Sequence, residues 1–230
     1  MAEGIRLVEE ILRSSFTIRG AIVSPELLAT PRGVALHARL ENSAIELLEV
    51  TDRDLFTASD TDTPQGILAI SWIPTVSLSK LTASDSLRLL VLDAVQDPGN
   101  VGTMVRTAAG LGVTATVSLP GTVDLWSAKV VRSGMGAHFQ HQCIDATWDE
   151  LDAFRRNRSL EVWAADAGGE LVDGLQPPAK LALVVGNEGA GLSAQARTCA
   201  SRIVALSMDA NAVESLNVAV ATGILLYELR

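Results

Sequence analysis

The stretch VVGNEGAGLSAQA, residues 184–196, joins an apolar run to a helix-forming segment through three glycines. Glycine permits a positive φ and leaves backbone N–H and C=O groups uncovered, so Gly186, Gly189 and Gly191 predict a tight turn that is open to a ligand. The turn reads G-x-x-G-x-G and no Lys-Ser/Thr follows it. It therefore matches neither a phosphate-binding P-loop nor a dinucleotide fingerprint, and taken alone it is a weak signal.

Apolar runs typical of buried strands alternate with helical patterns on both sides of this turn. LRLLVLDA (residues 87–94) and KLALVVG (residues 180–186) read as strands buried on both faces, and residues 100–111 and 215–229 read as helices. This alternation predicts an α/β fold with a mostly parallel sheet covered by helices.

The domain organisation is predicted from the change of pattern near residue 80. Residues 1–78 read as a small α/β unit, and the Ser- and Thr-rich stretch 76–86 reads as a linker. We therefore expect two domains, 1–78 and 86–230.

Composition excludes several classes of protein. No segment has the ~20 consecutive apolar residues of a membrane span, and the start MAEGIRLVEE, which is acidic and amphipathic, does not read as a signal peptide. The excess of 27 Asp and Glu over 18 Lys and Arg, a net charge of −9, argues against a broad electrostatic grip on nucleic acid. The cysteines, Cys143 and Cys199, lack metal-like spacing and fit a reducing cytoplasm. The cluster of Arg155, Arg156 and Arg158 is interpreted as a solvated helix face.

Two further strand ends carry polar residues in turns. In DAVQDPGNVGTMVRTAAGLGV (residues 93–113), Asn100 is expected to be an N-cap, and Arg106 lies in an otherwise apolar helix. An arginine there is either exposed or held by a partner or ligand. In ALSMDANAVESLNVAVA (residues 205–221), Ser215 or Glu214 is expected to cap the last helix, with Asn217 in its first turn. Ordinary capping would explain that segment by itself.

Together, the three segments resemble the signature motifs of the SpoU (TrmH) family, in the SPOUT superfamily of RNA methyltransferases. The patterns N-x-G-x-x-x-R, G-N-E-G-x-G-L-S and E-S-L-N-V-x-V-A match in order and spacing over about residues 88–230. EGIRLVEEIL and TDTPQGILAI resemble the family's substrate-binding domain, which is similar to kink-turn-binding ribosomal proteins. The resemblance implies a C-terminal SPOUT domain with a deep trefoil knot, preceded by a small α/β substrate-binding domain. It also implies a homodimer formed through the first-motif and last helices.

The reaction that the resemblance implies is methyl transfer from S-adenosyl-L-methionine to a ribose 2′-hydroxyl of structured RNA, with 23S-type rRNA favoured. No metal is expected, because the positive charge of the sulfonium drives the transfer. No membrane partner is expected, because no segment is long and apolar enough to span one. Arg106 corresponds to the family's essential arginine. Since a guanidinium stays protonated in proteins, Arg106 is expected to bind a phosphate or stabilise the developing oxyanion rather than act as a base.

The site residues follow from the same resemblance. Asn100 is expected to hold RNA or orient Arg106, and Glu188 to fix the knot loops or an arginine of a partner. The catalytic set is Asn100, Arg106, Glu188, Ser215 and Asn217. The cofactor-binding set is Val185, Gly186, Asn187, Gly189, Gly191, Leu206, Ser207, Met208, Ser215 and Leu216. The RNA-binding set is Asn100, Arg106, Lys129 and Arg132.

Two features depart from the family pattern. Relatives read Ile-Pro-Met-x-Gly-x before the third motif, whereas this chain reads SMDANA over residues 207–212, with Asn211 in place of the glycine. Asparagine tolerates a left-handed turn, so the loop is expected to keep its shape. The family-like part of the chain begins at Glu3-Gly4, where relatives often carry a further segment, so a truncated or a shorter N-terminal domain is expected.

Three alternative functions remain open. A tRNA 2′-O-methyltransferase would keep the chemistry, but such enzymes often use basic extensions that are not seen in this chain. A non-catalytic RNA-binding protein with a decayed site would fail to bind the cofactor. A nucleotide-dependent oxidoreductase is disfavoured by the missing early G-x-G-x-x-G. His138 and His141 are interpreted as structural histidines rather than bases.

Overall fold

The chain is described here from a computed structural model that covers residues 1–82, 84–208 and 215–230. These residues form two compact units. Unit 1 comprises residues 1–75 together with 126–140, and unit 2 comprises the described residues of 76–125 and 141–230. The segment 126–140, which lies inside the predicted second domain, therefore belongs to unit 1.

The elements are numbered along the chain. The helices are α1 (Ile5–Ile11), α2 (Pro31–Glu41), α3 (Asp52–Ala58), α4 (Pro98–Gly110), α5 (Ala128–Ser133), α6 (Trp148–Arg158), α7 (Ala194–Cys199) and α8 (Val218–Glu228). The strands are β1 (Ala2–Glu3), β2 (Ile18–Val23), β3 (Glu46–Glu49), β4 (Ile67–Ser71), β5 (Leu87–Leu92), β6 (Ala115–Ser118), β7 (Gln142–Asp145), β8 (Glu161–Leu171), β9 (Lys180–Val185) and β10 (Arg202–Ala205).

Unit 1 is built on a four-stranded sheet in the order β1-β4-β2-β3, with β2 and β3 parallel and the other pairs antiparallel. Its core joins the apolar face of α1 to β2, β4 and α2. Val131 and Phe139 are buried in the same core. Burial of these two side chains explains why residues 126–140 fold with unit 1.

Helix α2 was not expected from the apolar pattern, although a local signal was present. Thr30 accepts a hydrogen bond on its hydroxyl oxygen from the backbone N–H of Gly33, at 3.0 Å, and Pro31 occupies the first turn. A threonine cap followed by proline is a typical helix start. The pair Thr30-Pro31 therefore indicates a helix start that the apolar periodicity did not reveal.

Unit 2 is a six-stranded sheet in the order β10-β8-β9-β5-β6-β7, and every strand pair is parallel. This confirms the predicted α/β class with a mostly parallel sheet. From β5 the chain moves outward through β6 and β7, and it then crosses to β8 on the other side of the central pair. The connections that follow β5 and β9 therefore run in opposite directions, which opens a crevice at the carboxyl ends of these strands.

The predicted linker 76–86 is in part packed into unit 2. Leu78 and Leu81 are only 5% and 2% exposed and belong to the core beneath the sheet. A short 3-10 turn covers Leu78–Lys80, and the Arg158 side chain donates to the Leu81 carbonyl oxygen at 3.0 Å. The polar composition of the stretch concealed two leucines that begin the core of the second unit.

Several element boundaries also differ from the sequence patterns. The helical pattern over VDLWSAKVVRS is realised as α5 alone, over Ala128–Ser133. Strand β7 was not expected, and β8 extends to Leu171 because its end pairs with β10 across a bulge. The predicted arginine cluster lies on α6, where Arg155 and Arg156 both pair with Asp152.

Both histidines considered as bases are buried. His141 Nε2 lies 2.9 Å from the Thr116 hydroxyl oxygen, and burial lowers the pKa of His141 to about 4. The His138 ring packs edge-on against Trp126, with centroids 5.6 Å apart. Their surroundings support the structural interpretation. In the part of the chain that is described, no helix is long and apolar enough to cross a membrane.

Candidate active site

The turn of residues 186–191 reaches across the crevice to the loop that follows β5. One oxygen of the Glu188 carboxylate, Oε1, accepts hydrogen bonds from the backbone N–H of Asp97 at 3.1 Å and from Asn100 Nδ2 at 3.0 Å. The other, Oε2, accepts from the backbone N–H of Gln96 at 3.2 Å. Burial raises the pKa of Glu188, but these hydrogen bonds outweigh it, so the pKa lies below its ordinary value.

The Asn100 side chain links Glu188 to the last helix, α8. Its Oδ1 accepts a hydrogen bond from Asn217 Nδ2 at 2.9 Å, and Asn217 Oδ1 accepts from the backbone N–H groups of Ala219 and Val220. An ionised Glu188 can only accept hydrogen bonds, so Asn100 donates to it through Nδ2 and accepts from Asn217 through Oδ1. The Glu188–Asn100–Asn217 relay therefore joins all three motif segments.

Two cap positions differ from those expected. Asp97, not Asn100, caps α4, because its Oδ1 accepts from the backbone N–H of Asn100 at 2.7 Å. Asn217, not Ser215, caps α8 with its own side chain. Glu214, the other cap candidate, and the altered segment with Asn211 lie outside the described residues. The shift leaves the Asn100 side chain available for the relay.

The shape of the turn explains its glycines. The Asn187 side chain donates to the Ala94 carbonyl oxygen at 2.9 Å and accepts from the backbone N–H of Gly189, and its backbone pairs with that of Gly191. A Cβ on Gly186 would lie 2.4 Å from the Gly191 carbonyl oxygen. Gly191 has a φ of +70°, a left-handed conformation that favours glycine.

A cavity of about 400 Å³ lies against this turn, at the carboxyl ends of β9 and β10 and beside the middle of β8 and the start of α8. Ten of the predicted site residues line it: Val185, Gly186, Asn187, Glu188, Gly191, Leu206, Met208, Ser215, Leu216 and Asn217. Gly189 and Ser207 do not line it, and Asn100 reaches it only through Glu188 and Asn217.

The contribution of β8 to the wall of this cavity was not predicted from the sequence. Ala165, Asp166 and Ala167 line the cavity because β8 lies between β9 and β10 in the sheet. Asp166 accepts from the backbone N–H of Gly168 at 3.0 Å and pairs with Arg197 at 2.5 Å. A strand segment that lies between two motif strands is a positional signal, and that position depends on strand order rather than on any residue pattern.

The lining suits a small cationic ligand with a flat apolar part. Among the described lining residues there is no Lys, Arg or His, while Asp166 and Glu188 are acidic. Such a cavity would repel the phosphates of a dinucleotide, which argues against the oxidoreductase alternative. Gly186 and Leu206 line the cavity and can present backbone groups to a base edge, and the Glu188 carboxylate, which has no ion pair with a described residue, favours a sulfonium.

The predicted arginine and lysine contacts lie outside this cavity. Arg106 is exposed on α4 and forms no hydrogen bond or ion pair with another residue that the structure describes. Asn100 is bonded to Glu188 and Asn217, not to Arg106. Lys129 and Arg132 belong to α5 in unit 1. No group of three or more described His, Cys, Asp or Glu residues is placed to hold a metal ion.

Fold and cavity together are those of an S-adenosylmethionine-dependent methyltransferase. The chain belongs to the SpoU rRNA Methylase family, whose family model matches residues 88–227. A second match covers residues 1–69, with the MRM3-like substrate binding domain. The family predicted from the three motifs is thereby confirmed, as is the predicted class of N-terminal domain.

Matches to known proteins cover the whole chain or part of it. It is 35% identical to the 23S rRNA (guanosine(2553)-2′-O)-methyltransferase RlmP of Bacillus subtilis (strain 168), over 100% of this chain and 88% of that protein. It is 41% identical over 105 residues to the mitochondrial rRNA methyltransferase 3 of Homo sapiens, a match that covers 44% of this chain and 25% of that one. The AdoMet-bound rRNA methyltransferase from Sinorhizobium meliloti superposes with a TM-score of 0.85 at 28% identity, covering 99% of this chain and 85% of that one.

Replacing Glu188 by glutamine is expected to weaken cofactor binding about tenfold and to destabilise the chain by about 1 kcal/mol. The new NH₂ group would face a hydrogen-bond donor, either the Gln96 N–H or the Asn100 and Asp97 donors. Calorimetric titration with S-adenosylmethionine and urea unfolding measure the two effects. Because the pKa of Glu188 is lowered in the folded chain, its stabilising effect is present above the unfolded pKa and is lost as pH falls through the folded pKa.

Glu150→Gln is a matched control for this change, because Glu150 is an exposed glutamate that accepts from Thr147 at a helix start far from the relay. It is expected to leave the affinity for S-adenosylmethionine unchanged. Unchanged affinity in Glu188→Gln would show that the relay does not shape the cavity.

Proposed function

We propose that this chain transfers the methyl group of S-adenosylmethionine to the 2′-hydroxyl of a ribose in 23S-type rRNA. The observation that carries the proposal is the full-length similarity to a 23S rRNA 2′-O-methyltransferase, combined with a cavity that is lined by residues of the second and third motifs and linked to the first motif through Asn100. The match of residues 1–69 to a substrate-binding domain favours rRNA over tRNA as the substrate.

The cofactor is proposed to lie in the cavity beside the glycine turn. Val185, Gly186 and Leu206 present backbone groups and apolar surface to it, and Asp166 and Glu188 provide the negative charge that favours a cation. When bound, S-adenosylmethionine supplies a methyl group on a positively charged sulfur. Asn217 and Ser215, at the rim of the cavity, are proposed to position the ribose that receives this group.

Arg106 is proposed to carry positive charge beside the reacting ribose. Its guanidinium remains protonated, so it acts by holding the neighbouring phosphate or by stabilising charge on the 2′-oxygen, and not by removing the proton. Its freedom from intramolecular partners among the described residues leaves all of its donors for RNA.

The knot and the oligomeric state are also proposals. We propose that the turn of residues 186–191 and the segment leading into α8 form the deep trefoil knot of the family. We also propose a homodimer through α4 and α8, which is supported by the exposed apolar side chains of Val220, Ile224 and Tyr227 on α8. A cytoplasmic location remains a prediction.

The test is transfer of labelled methyl from S-adenosylmethionine to unmodified 23S-type rRNA, with tRNA assayed in parallel. We expect label on the rRNA at a single linkage that becomes resistant to alkali, because a methylated 2′-oxygen cannot attack its phosphate. Label on tRNA alone would keep the chemistry and overturn the substrate. Cofactor binding without transfer to either RNA would favour the non-catalytic RNA-binding alternative.

A further inference from the structure

A second cavity, of about 550 Å³, is lined entirely by residues of unit 1 and shares no lining residue with the cofactor cavity. We call it the arginine cleft, because Arg6 on α1, Arg32 on α2 and Arg132 on α5 all line it. These three residues are far apart in sequence, so the folding of unit 1 brings them together. Thr63 and Gln65, in the loop before β4, complete its polar wall.

The acceptors near the cleft are already engaged. Glu3 accepts from the Thr61 hydroxyl at 2.5 Å and from the backbone N–H of Asp60 at 3.2 Å, and its carboxylate lies 3.7 Å from Arg132 Nη1. The carbonyl oxygen of the Gln65 side chain accepts from the backbone N–H of Ile5 at 2.9 Å. The groups that remain for a ligand are therefore mostly donors.

Arg6 and Arg132 supply the charged donors of the arginine cleft. Arg6 is exposed and forms no hydrogen bond or ion pair with any other described residue. Arg132 Nη1 has no hydrogen-bond partner among the described residues and lies at ion-pair distance, 3.7 Å, from Glu3, while about a third of the Arg132 side chain remains exposed. Arg32, by contrast, is held in a two-fold contact with Glu9, at 3.1 and 2.6 Å, and is largely neutralised.

The local charge is opposite in sign to that of the whole chain. Three arginines against Glu3 and Glu9 leave one net positive charge at the cleft, whereas the chain carries −9. A small donor-rich, positive cavity on an acidic protein selects a localised anion rather than a broad polyanionic surface. Guanidinium groups match the oxygens of a phosphate in geometry as well as charge.

We propose that the arginine cleft binds one backbone phosphate of the RNA substrate, with Arg6 and Arg132 as its charged donors and Gln65 as a neutral one. This inference rests on the proposed function, since it assumes that RNA is the substrate. It assigns to unit 1 a specific anchoring point, separate from the methyl-transfer cavity in unit 2. It also gives Arg132, considered above as an RNA contact, a defined site.

The test compares the parent chain with Arg6→Gln and Arg6→Glu by fluorescence anisotropy on a labelled 23S-type rRNA fragment, over a series of salt concentrations. Arg6→Gln is expected to weaken binding about fivefold to tenfold and to lower the slope of log K against log salt by about one, as for loss of one phosphate contact. Arg6→Glu is expected to weaken binding further. The affinity for S-adenosylmethionine should not change in either variant.

Arg53→Gln is the matched control, because Arg53 is an exposed arginine on α3 of the same unit and does not line the cleft. An equal loss in Arg53→Gln would overturn the cleft in favour of diffuse charge. Unchanged binding in Arg6→Gln, with a parent chain that binds and methylates rRNA, would overturn the cleft and leave the proposed function intact. A parent chain that binds S-adenosylmethionine but neither binds nor methylates RNA would overturn both.

Discussion

Replacing Arg106 by alanine is expected to lower the rate of methyl transfer to RNA by about 10²–10³-fold, while the affinity for S-adenosylmethionine stays within about twofold. Arg106 is exposed on α4 and does not line the cofactor cavity, so its removal leaves the cavity walls in place. What is lost is a charged donor at the reacting ribose, in a step where positioning and electrostatics supply much of the rate. Single-turnover transfer and calorimetric titration separate the two quantities.

Two comparisons sharpen this prediction. Arg106→Lys retains the charge but not the planar fork of donors, so an intermediate rate is expected. Arg156→Ala removes another exposed arginine of unit 2, one that pairs with Asp152 on α6, and should leave the rate unchanged. A rate in Arg106→Ala above about a tenth of the parent rate would contradict a role for Arg106 in the reaction.

Gly186→Ala is expected to destabilise the chain by about 3 kcal/mol and to abolish measurable cofactor binding. The added Cβ would lie 2.4 Å from the Gly191 carbonyl oxygen, 2.5 Å from its carbonyl carbon and 2.7 Å from the Leu192 nitrogen. All three are backbone atoms within one turn, so no side-chain rotation can relieve the overlap. Urea unfolding and titration with S-adenosylmethionine measure the two effects.

Gly189→Ala provides a control in the same turn. A Cβ at Gly189 would meet the Asn187 Oδ1 at 3.7 Å, an ordinary contact, and the residue has no positive φ. Its stability should therefore lie within about 1 kcal/mol of the parent chain, with a small gain possible from reduced unfolded-state entropy. If Gly186→Ala were as stable as Gly189→Ala, the close packing of the turn would not be what requires glycine at position 186.

The parallel sheet of unit 2 could be predicted because its strands are buried on both faces. LRLLVLDA and KLALVVG are almost continuous apolar runs, and this pattern hardly depends on neighbours. Strand β7 was not expected because it has only four residues, and helix α2, with eleven, was not expected because only Gly33, Leu36 and Leu40 of it are buried. The leucines of the stretch 76–86 were hidden for the same reason, because a polar segment with two apolar side chains resembles a linker until it meets a core.

In the candidate site, most residues could be selected from the sequence, but the contacts between them could not. Glu188, Asn100 and Asn217 were each selected from a strand end, but nothing local indicated that they bond to one another over 88 and 117 positions of sequence. Cap positions were misplaced by a few residues because Asp97, Asn100, Ser215 and Asn217 all have side chains that cap helices. Asp166 was missed because its place in the cavity depends on the order of strands in the sheet.

The sequence by itself determined the class of fold, the family and most residues of the cofactor cavity, because glycine turns, buried strands and helix starts are encoded by neighbours in the chain. Tertiary structure alone decided that residues 126–140 belong to unit 1, that β8 forms a wall of the cavity, and that Arg6, Arg32 and Arg132 share one cleft. The physical reason is the distance along the chain over which each kind of interaction acts. Backbone preferences and burial patterns act over a few residues, whereas a hydrogen-bond relay or a shared cleft depends on which distant surfaces the packing of the core brings together.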